Sequence, residues 1–155
     1  MAAGGLRALM RRFPSGVAVV TIDLEGERLG LTVGSLVSLS LEPALVGVSI
    51  AKEAAMHELL RRARSFSVSL LAAGQEDVAQ HFARGVPPFA HWQGIPLRDE
   101  DGPPLIAGAL GWLRCRVTAE TDAGDHTFFV GEVEVAEPGE PNPPLLYLDG
   151  RYRDA

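Results

Sequence analysis

The chain has 155 residues, 46% of them hydrophobic and 22% charged, which suits one globular domain and excludes a disordered, collagen-like or coiled-coil chain. With 20 acidic and 14 basic residues the formal charge is −6, so no general attraction to nucleic acid or anionic lipid exists and any phosphate must be held locally. Cys115 is the single cysteine; it rules out an intrachain disulfide and fits a reducing, cytoplasmic setting.

Leu6, Leu9, Met10 and Phe13 recur at helical spacing and predict a short amphipathic helix ending near Pro14. Arg7, Arg11 and Arg12 interrupt it before a signal-peptide core can form. Val17 to Asp23 is a β-branched run, Leu24 to Glu27 is turn chemistry, and Arg28 to Val33 predicts the return strand. Ser38 to Leu41 and Leu45 to Ala51 are two further apolar pieces, split by Glu42-Pro43 and too short to span a membrane. Lys52 to Arg64 predicts a helix, Phe66 to Ala72 a strand covered on one face, and Gly74 to Arg84 a second helix. Gly85 to Pro104 is rich in Pro and Gly and predicts a long loop. Ala109 to Thr121 and His126 to Ala136 form a predicted hairpin around Asp122 to Asp125, and Leu145 to Tyr152 closes the chain as a last strand. Strands in meander order with few helices favour an antiparallel barrel. No linker divides residues 1–155, so a single domain is expected.

Metal chemistry has little support, because His57, His81, His91 and His126 lie far apart and Cys115 has no Cys partner. No Gly-rich loop of the dinucleotide or P-loop type is present. Ser15 is not in a nucleophile elbow, and Cys115 reads as a small core residue. More informative is GLTVGSLVSLSLEP. Thr32, Ser35, Ser38 and Ser40 place hydroxyls on strand-like backbone, and Gly30 and Gly34 allow a flat, partly polar ring to approach. The alternative is that the serines serve their own turn. Ser49, Lys52 and the following helix start could hold a phosphate, or Lys52 could pair with Glu53 or Glu42. His126 could donate to an amide or phosphate or act as a catalytic acid, or be a hairpin-end histidine that is exposed or bonds its own turn. Tyr147, Tyr152, Arg151 and Arg153 could clamp a nucleotide, or form a subunit contact or a loose tail.

Five segments in this order, FPSGVAVVT, GLTVGSLVSLSLEPALVGVSI, FSVSLLAAGQEDVAQHFA, GALGWLRCRVTAETDAGDHTFFVGEVEV and PLLYLDGRYR, resemble the short-chain flavin reductases. GDHTFFVGEV matches the signature GDH-T-x-F-x-G-x-V of that family. The resemblance implies a mainly β fold, a six-stranded antiparallel Greek-key split β-barrel with two or three short flanking helices, working as a homodimer. It implies NADH or NADPH reducing FMN or FAD, with reduced flavin passing to a transient flavin-dependent monooxygenase partner. By motif, Thr32, Val33, Gly34, Ser35 and Ser38 would contact the ring and ribityl chain. Ser49, Ala51, Lys52 and Met56 would lie near the flavin phosphate, and Phe82 and Ala83 near the flavin tail. His126 matches the residue beside the nicotinamide, and Gly150, Arg151 and Tyr152 match the rest of that nucleotide site. Gly34, Ser69 and the segment Glu53 to Met56 depart from the common pattern of the family. Two alternatives stay open beside a reductase of free flavin. One is a split-barrel enzyme that retains its flavin and reduces another small substrate; the other is a flavin-binding dimer without turnover.

Overall fold

The computed structural model describes residues 2–84 and 88–155. The elements in chain order are α1 (Ala2–Met10), β1 (Ser15–Gly16), β2 (Ala18–Leu24), β3 (Glu27–Val33), β4 (Val37–Leu41) and β5 (Ala44–Ala51). These are followed by α2 (Ala55–Ala63), β6 (Ser65–Leu70), α3 (Glu76–Ala83), a 3₁₀ turn at Pro88–Ala90, β7 (Leu97–Asp99) and β8 (Leu105–Ile106). The last four are β9 (Gly111–Ala123), β10 (His126–Pro138), β11 (Leu145–Leu148) and β12 (Arg151–Asp154).

Seven strands form one antiparallel sheet in the order β3-β2-β6-β9-β10-β5-β4, flanked by a three-stranded sheet β1-β11-β12 and the pair β7-β8. The strand count therefore exceeds the six expected, because Val37–Leu41 pairs with β5 as a full edge strand. The C-terminal segment differs as well. Asp149 and Gly150 take φ of 53° and 74°, which reverses the chain and turns one expected strand into the hairpin β11-β12. The predicted loop is also structured: Leu97–Asp99 pairs with Leu105–Ile106. Its first residues, 85–87, lie outside the described residues. The first helix ends at Met10 rather than near Pro14, and α2 starts at Ala55 rather than at Lys52.

The long apolar run of β2 is explained by cover on both faces. Ala18, Val20 and Ile22 enter a core with Val48, Ile50, Met56, Leu60, Phe66 and Phe129, across which α2 lies. Val17 and Val19 enter a second core with Leu71, Ala79, Phe82 and Leu145, closed by α3. Strand β6 corrects a sequence expectation. Its Ser67 and Ser69 are buried, not solvent-facing. Ser69 accepts from the Ile106 N–H at 3.0 Å and Ser67 donates to the Pro103 carbonyl at 3.2 Å, so the serine face docks residues 103–106. Cys115 sits in the first core, and burial, with Glu134 adding, pushes its thiol up to about 12, so it is inert.

Edge strand β3 has no strand beyond it; side chains from residues 91–92 take that place. His91 Nε2 accepts from the Gly30 N–H at 2.9 Å, and the Trp92 indole donates to the Arg28 carbonyl at 3.1 Å. Gly30 is required there, since a Cβ would lie 2.8 Å from the buried Phe82 ring. His81 donates to the His91 carbonyl at 2.6 Å. An acceptor Nε2 requires a neutral imidazole. Burial, reinforced by His81, lowers the His91 pKa. The unfolded chain therefore takes up this proton first as pH falls. The contribution of His91 is fully present above about pH 6.5, the ordinary imidazole value, and declines as pH drops from there toward the lowered folded value. Urea midpoints at pH 7.5 and 5.5 are expected to differ more in the native chain than in His91→Gln. Equal pH slopes in the two would refute the assignment. No helix among the described residues is long and apolar enough to cross a membrane.

Candidate functional site

Strands β3 and β4, the two margins of the sheet, are joined by residues 34–36 and do not pair. Past the end of β4, where Val37 still pairs with Gly47, the Ser35 hydroxyl takes the place of a strand partner. It accepts from the Ser49 N–H at 3.0 Å and donates to the Ser49 carbonyl at 3.1 Å. The resulting cleft has a volume of 440 Å³ and is lined by Leu31, Thr32, Val33, Gly34, Ser35, Ser49, Ala51, Ala54 and His126. Sequence reasoning singled out all of these except Leu31 and Ala54, which carry no polar side-chain signal.

The roles of the hydroxyls are more internal than the motif suggests. Thr32 donates to the Ala79 carbonyl of α3 at 2.7 Å, and Ser35 is engaged with Ser49 as described. The cleft thus offers mainly backbone edge, glycine and apolar wall. Gly34 is shared with a second cavity of 170 Å³ that includes Val17, Ala83, Tyr147 and Tyr152. A Cβ at Gly34 would lie 2.8 Å from Ser15 Oγ, so the missing side chain makes room for Ser15.

His126 reaches the cleft because β10 alternates. Thr127, Phe129 and Gly131 are buried, while His126, Phe128 and Val130 are only half-buried on the opposite face. His126 Nδ1 meets the Asp125 carboxylate at 2.8 Å. The hydrogen bond and charge of His126 hold Asp125 below the usual carboxylate range. The ionised carboxylate therefore accepts a hydrogen bond from Nδ1–H, which leaves Nε2 as the free nitrogen of the ring.

Lys52 lies outside this cleft. It pairs with Asp122 at 3.0 Å, not with Glu53 or Glu42, and lines a neighbouring cavity of 560 Å³ with His57, Arg61 and Glu120. That larger cavity neutralises itself, since Arg61 also meets Glu120 at 2.9 Å. Helix α2 begins without a side-chain cap at Ala54, so its first N–H groups have no side-chain acceptor and suit an anion. Met56 and Phe82 are buried in the two cores and line neither the cleft nor the cavity of Lys52. Ser38 is exposed on β4. Gly150, Arg151 and Tyr152 line a cavity of 450 Å³ with Ala83, and the Tyr147 and Tyr152 rings lie 5.1 Å apart. No group of three His, Cys, Asp or Glu side chains poised for a metal occurs among the described residues.

Residues 10–155 match the family described as flavin reductase like domain. The chain belongs to the flavin reductase-like family. Its relatives include an NADH-dependent FAD reductase of Streptomyces globisporus, 41% identical over 153 residues, covering 96% of this chain and 83% of that protein. The reductase component of a 4-hydroxyphenylacetate 3-monooxygenase from Thermus thermophilus is 45% identical over 144 residues, 93% of this chain and 91% of that one. A solved Streptomyces globisporus NADH:FAD oxidoreductase, in complex with NAD and FAD fragments, superposes with a TM-score of 0.91 at 39% identity. It covers 99% of this chain and 92% of its own. This flavin reductase-like chain accordingly has the split-barrel architecture. The donor set of its cleft fits a flavin: an edge strand whose backbone can face a flat heterocycle, a Cβ-free Gly34, apolar Leu31 and Val33, and an uncapped helix start at Ala54 for an anionic tail.

Proposed function

We propose that this chain is an NAD(P)H:flavin oxidoreductase that takes FMN or FAD as a loosely held partner and delivers reduced flavin to a flavin-dependent monooxygenase. The observation that carries the reading is the cleft between β3 and β5, with His126 at its rim, in a chain of this family. When bound, the flavin supplies the electron sink, accepting hydride at N5 from nicotinamide C4. The protein then needs no nucleophile; it has to stack two rings, exclude water and orient them. Backbone around Thr32 to Ser35 would hold the ring. Ser49, Ala51 and the first turn of α2 would hold the ribityl-phosphate side, with Lys52 adding a nearby charge. The engagement of Thr32 and Ser35 within the protein leaves few side-chain hydroxyls for the flavin, which favours exchange over retention. Gly150, Arg151 and Tyr152 would serve the nicotinamide nucleotide.

The chain would act as a single domain and as a cytoplasmic homodimer. Strand β4 supports the homodimer: Val37, Leu39 and Leu41 alternate along it, all exposed, with Leu41 at 90%. Sedimentation at twice the chain mass of 16.5 kDa supports the dimer, and a monomer removes it. The activity is tested by mixing the purified protein anaerobically with NADH or NADPH and free FMN, FAD or riboflavin. Multiple-turnover bleaching of free flavin is the expected result. Absence of nicotinamide oxidation with every flavin, or reduction confined to one retained equivalent, would overturn it.

A further inference from the structure

We infer that Arg7, Arg11 and Arg84, with Arg151, form an anion-binding rim that receives the pyrophosphate of the nicotinamide dinucleotide. This rests on the nicotinamide reading above and extends it to residues outside the motif. Three concavities run side by side from the flavin cleft. Thr32, Val33 and Gly34 belong both to the cleft and to the 170 Å³ cavity. Tyr147 and Tyr152 link that cavity to the 450 Å³ one containing Arg84 and Arg151. Tyr147 and Gly150 are shared in turn with a 390 Å³ cavity containing Arg7 and Arg11.

The charges along this path are unusual for so acidic a chain. Arg28, Arg61, Arg64, Arg98, Arg114 and Arg116 all pair with carboxylates. Among the described residues the other seven form no ion pair, and four of these, Arg7, Arg11, Arg84 and Arg151, line the two outer cavities, where Glu76 is the one carboxylate. Uncompensated guanidinium groups concentrated on one face of a protein of charge −6 create a local positive potential that guides and holds phosphates. Arg11 has a second task. It donates to the Asp149 carbonyl at 3.1 Å, and its own carbonyl accepts from the Asp149 N–H at 2.8 Å, so it fixes the turn that presents Gly150. The Tyr147–Tyr152 pair gives an aromatic wall between the rim and the cleft. A ligand with a flat redox ring at one end and a doubly charged linkage further along fits that sequence of surfaces.

Arg7 and Arg84 are exposed and make no side-chain hydrogen bond among the described residues, so they can be altered without loosening the fold. Calorimetric titration of ADP-ribose, which keeps the pyrophosphate and lacks nicotinamide, is expected to give about tenfold weaker binding in Arg7→Gln and in Arg84→Gln, the scale of one charge-assisted hydrogen bond. The salt dependence of binding should flatten in both, and the KM for the dinucleotide should rise with kcat and flavin affinity unchanged. Arg62→Gln, on α2, should change nothing. Unchanged ADP-ribose affinity in either variant overturns the inference. Failure of the underlying reading looks different: the native protein itself would then not oxidise NADH or NADPH with any flavin.

Discussion

Replacement of His126 by alanine is expected to slow flavin reduction by the nicotinamide roughly tenfold to a hundredfold, the scale of a lost orienting contact, while flavin affinity stays within about twofold of native, as the retained cleft contacts would dictate. The separation follows from placement. The surfaces proposed to hold the ring are backbone and small residues of β3 and β5, which the substitution leaves intact. The imidazole lies at the rim, on the outward face of β10, with Nδ1 anchored to Asp125 and Nε2 free. On the proposed reading its contribution would be orientation of the incoming nucleotide, through a hydrogen bond at Nε2. Anaerobic stopped-flow bleaching gives the rate, and fluorescence quenching gives the affinity. An unchanged rate would remove His126 from the mechanism; a parallel collapse of flavin affinity would make it a flavin ligand instead.

Truncation of Phe129 to alanine is expected to cost about 3–5 kcal/mol of stability, as for other fully enclosed aromatic rings. Phe129 has 0% exposure and sits in the central core among residues of β2, β5, β6, β9 and α2. Its ring also meets His57 edge-on, with centroids 5.8 Å apart. His57 is fixed in turn by a 2.7 Å hydrogen bond to Thr127. The sheet around the vacated space is paired on both sides of β10, so collapse into it is hindered. Urea unfolding should show a lower midpoint with an unchanged m-value. A loss below about 1 kcal/mol would mean that the barrel relaxes to fill the space, against the usual partial relaxation of cores.

The sequence is most legible where local pattern and tertiary environment agree. The run from Val17 to Asp23, the hairpin around Asp122 to Asp125 and the helices following Lys52 and Gly74 appear near their expected places, because apolar periodicity and turn chemistry are short-range signals. It is least legible where a side chain finds its partner far along the chain. Thr32 bonds a carbonyl 47 residues away and Ser35 one 14 residues away, so both read as ligand hydroxyls when much of their work is internal. Ser67 and Ser69 predict a wet strand face until residues 103–106 are seen to cover it. Leu97–Asp99 is hidden because Pro and Gly around it outweigh three residues of weak strand pattern. Lys52 finds Asp122, a partner contributed by the far end of the distant strand β9.

The two margins of the main sheet are unequal. His91 and Trp92 take up the Gly30 N–H and the Arg28 carbonyl of β3, whereas the outer border of β4 pairs with no strand among the described residues and carries Val37, Leu39 and Leu41. A sheet that is sticky at both borders can polymerise without end, each addition exposing a fresh template. With one border blunted, association through the other must close on itself after a single two-fold step. In the proposed homodimer the histidine and tryptophan that cover the β3 border would thus hold assembly to a single pair and keep the protein from growing into fibres.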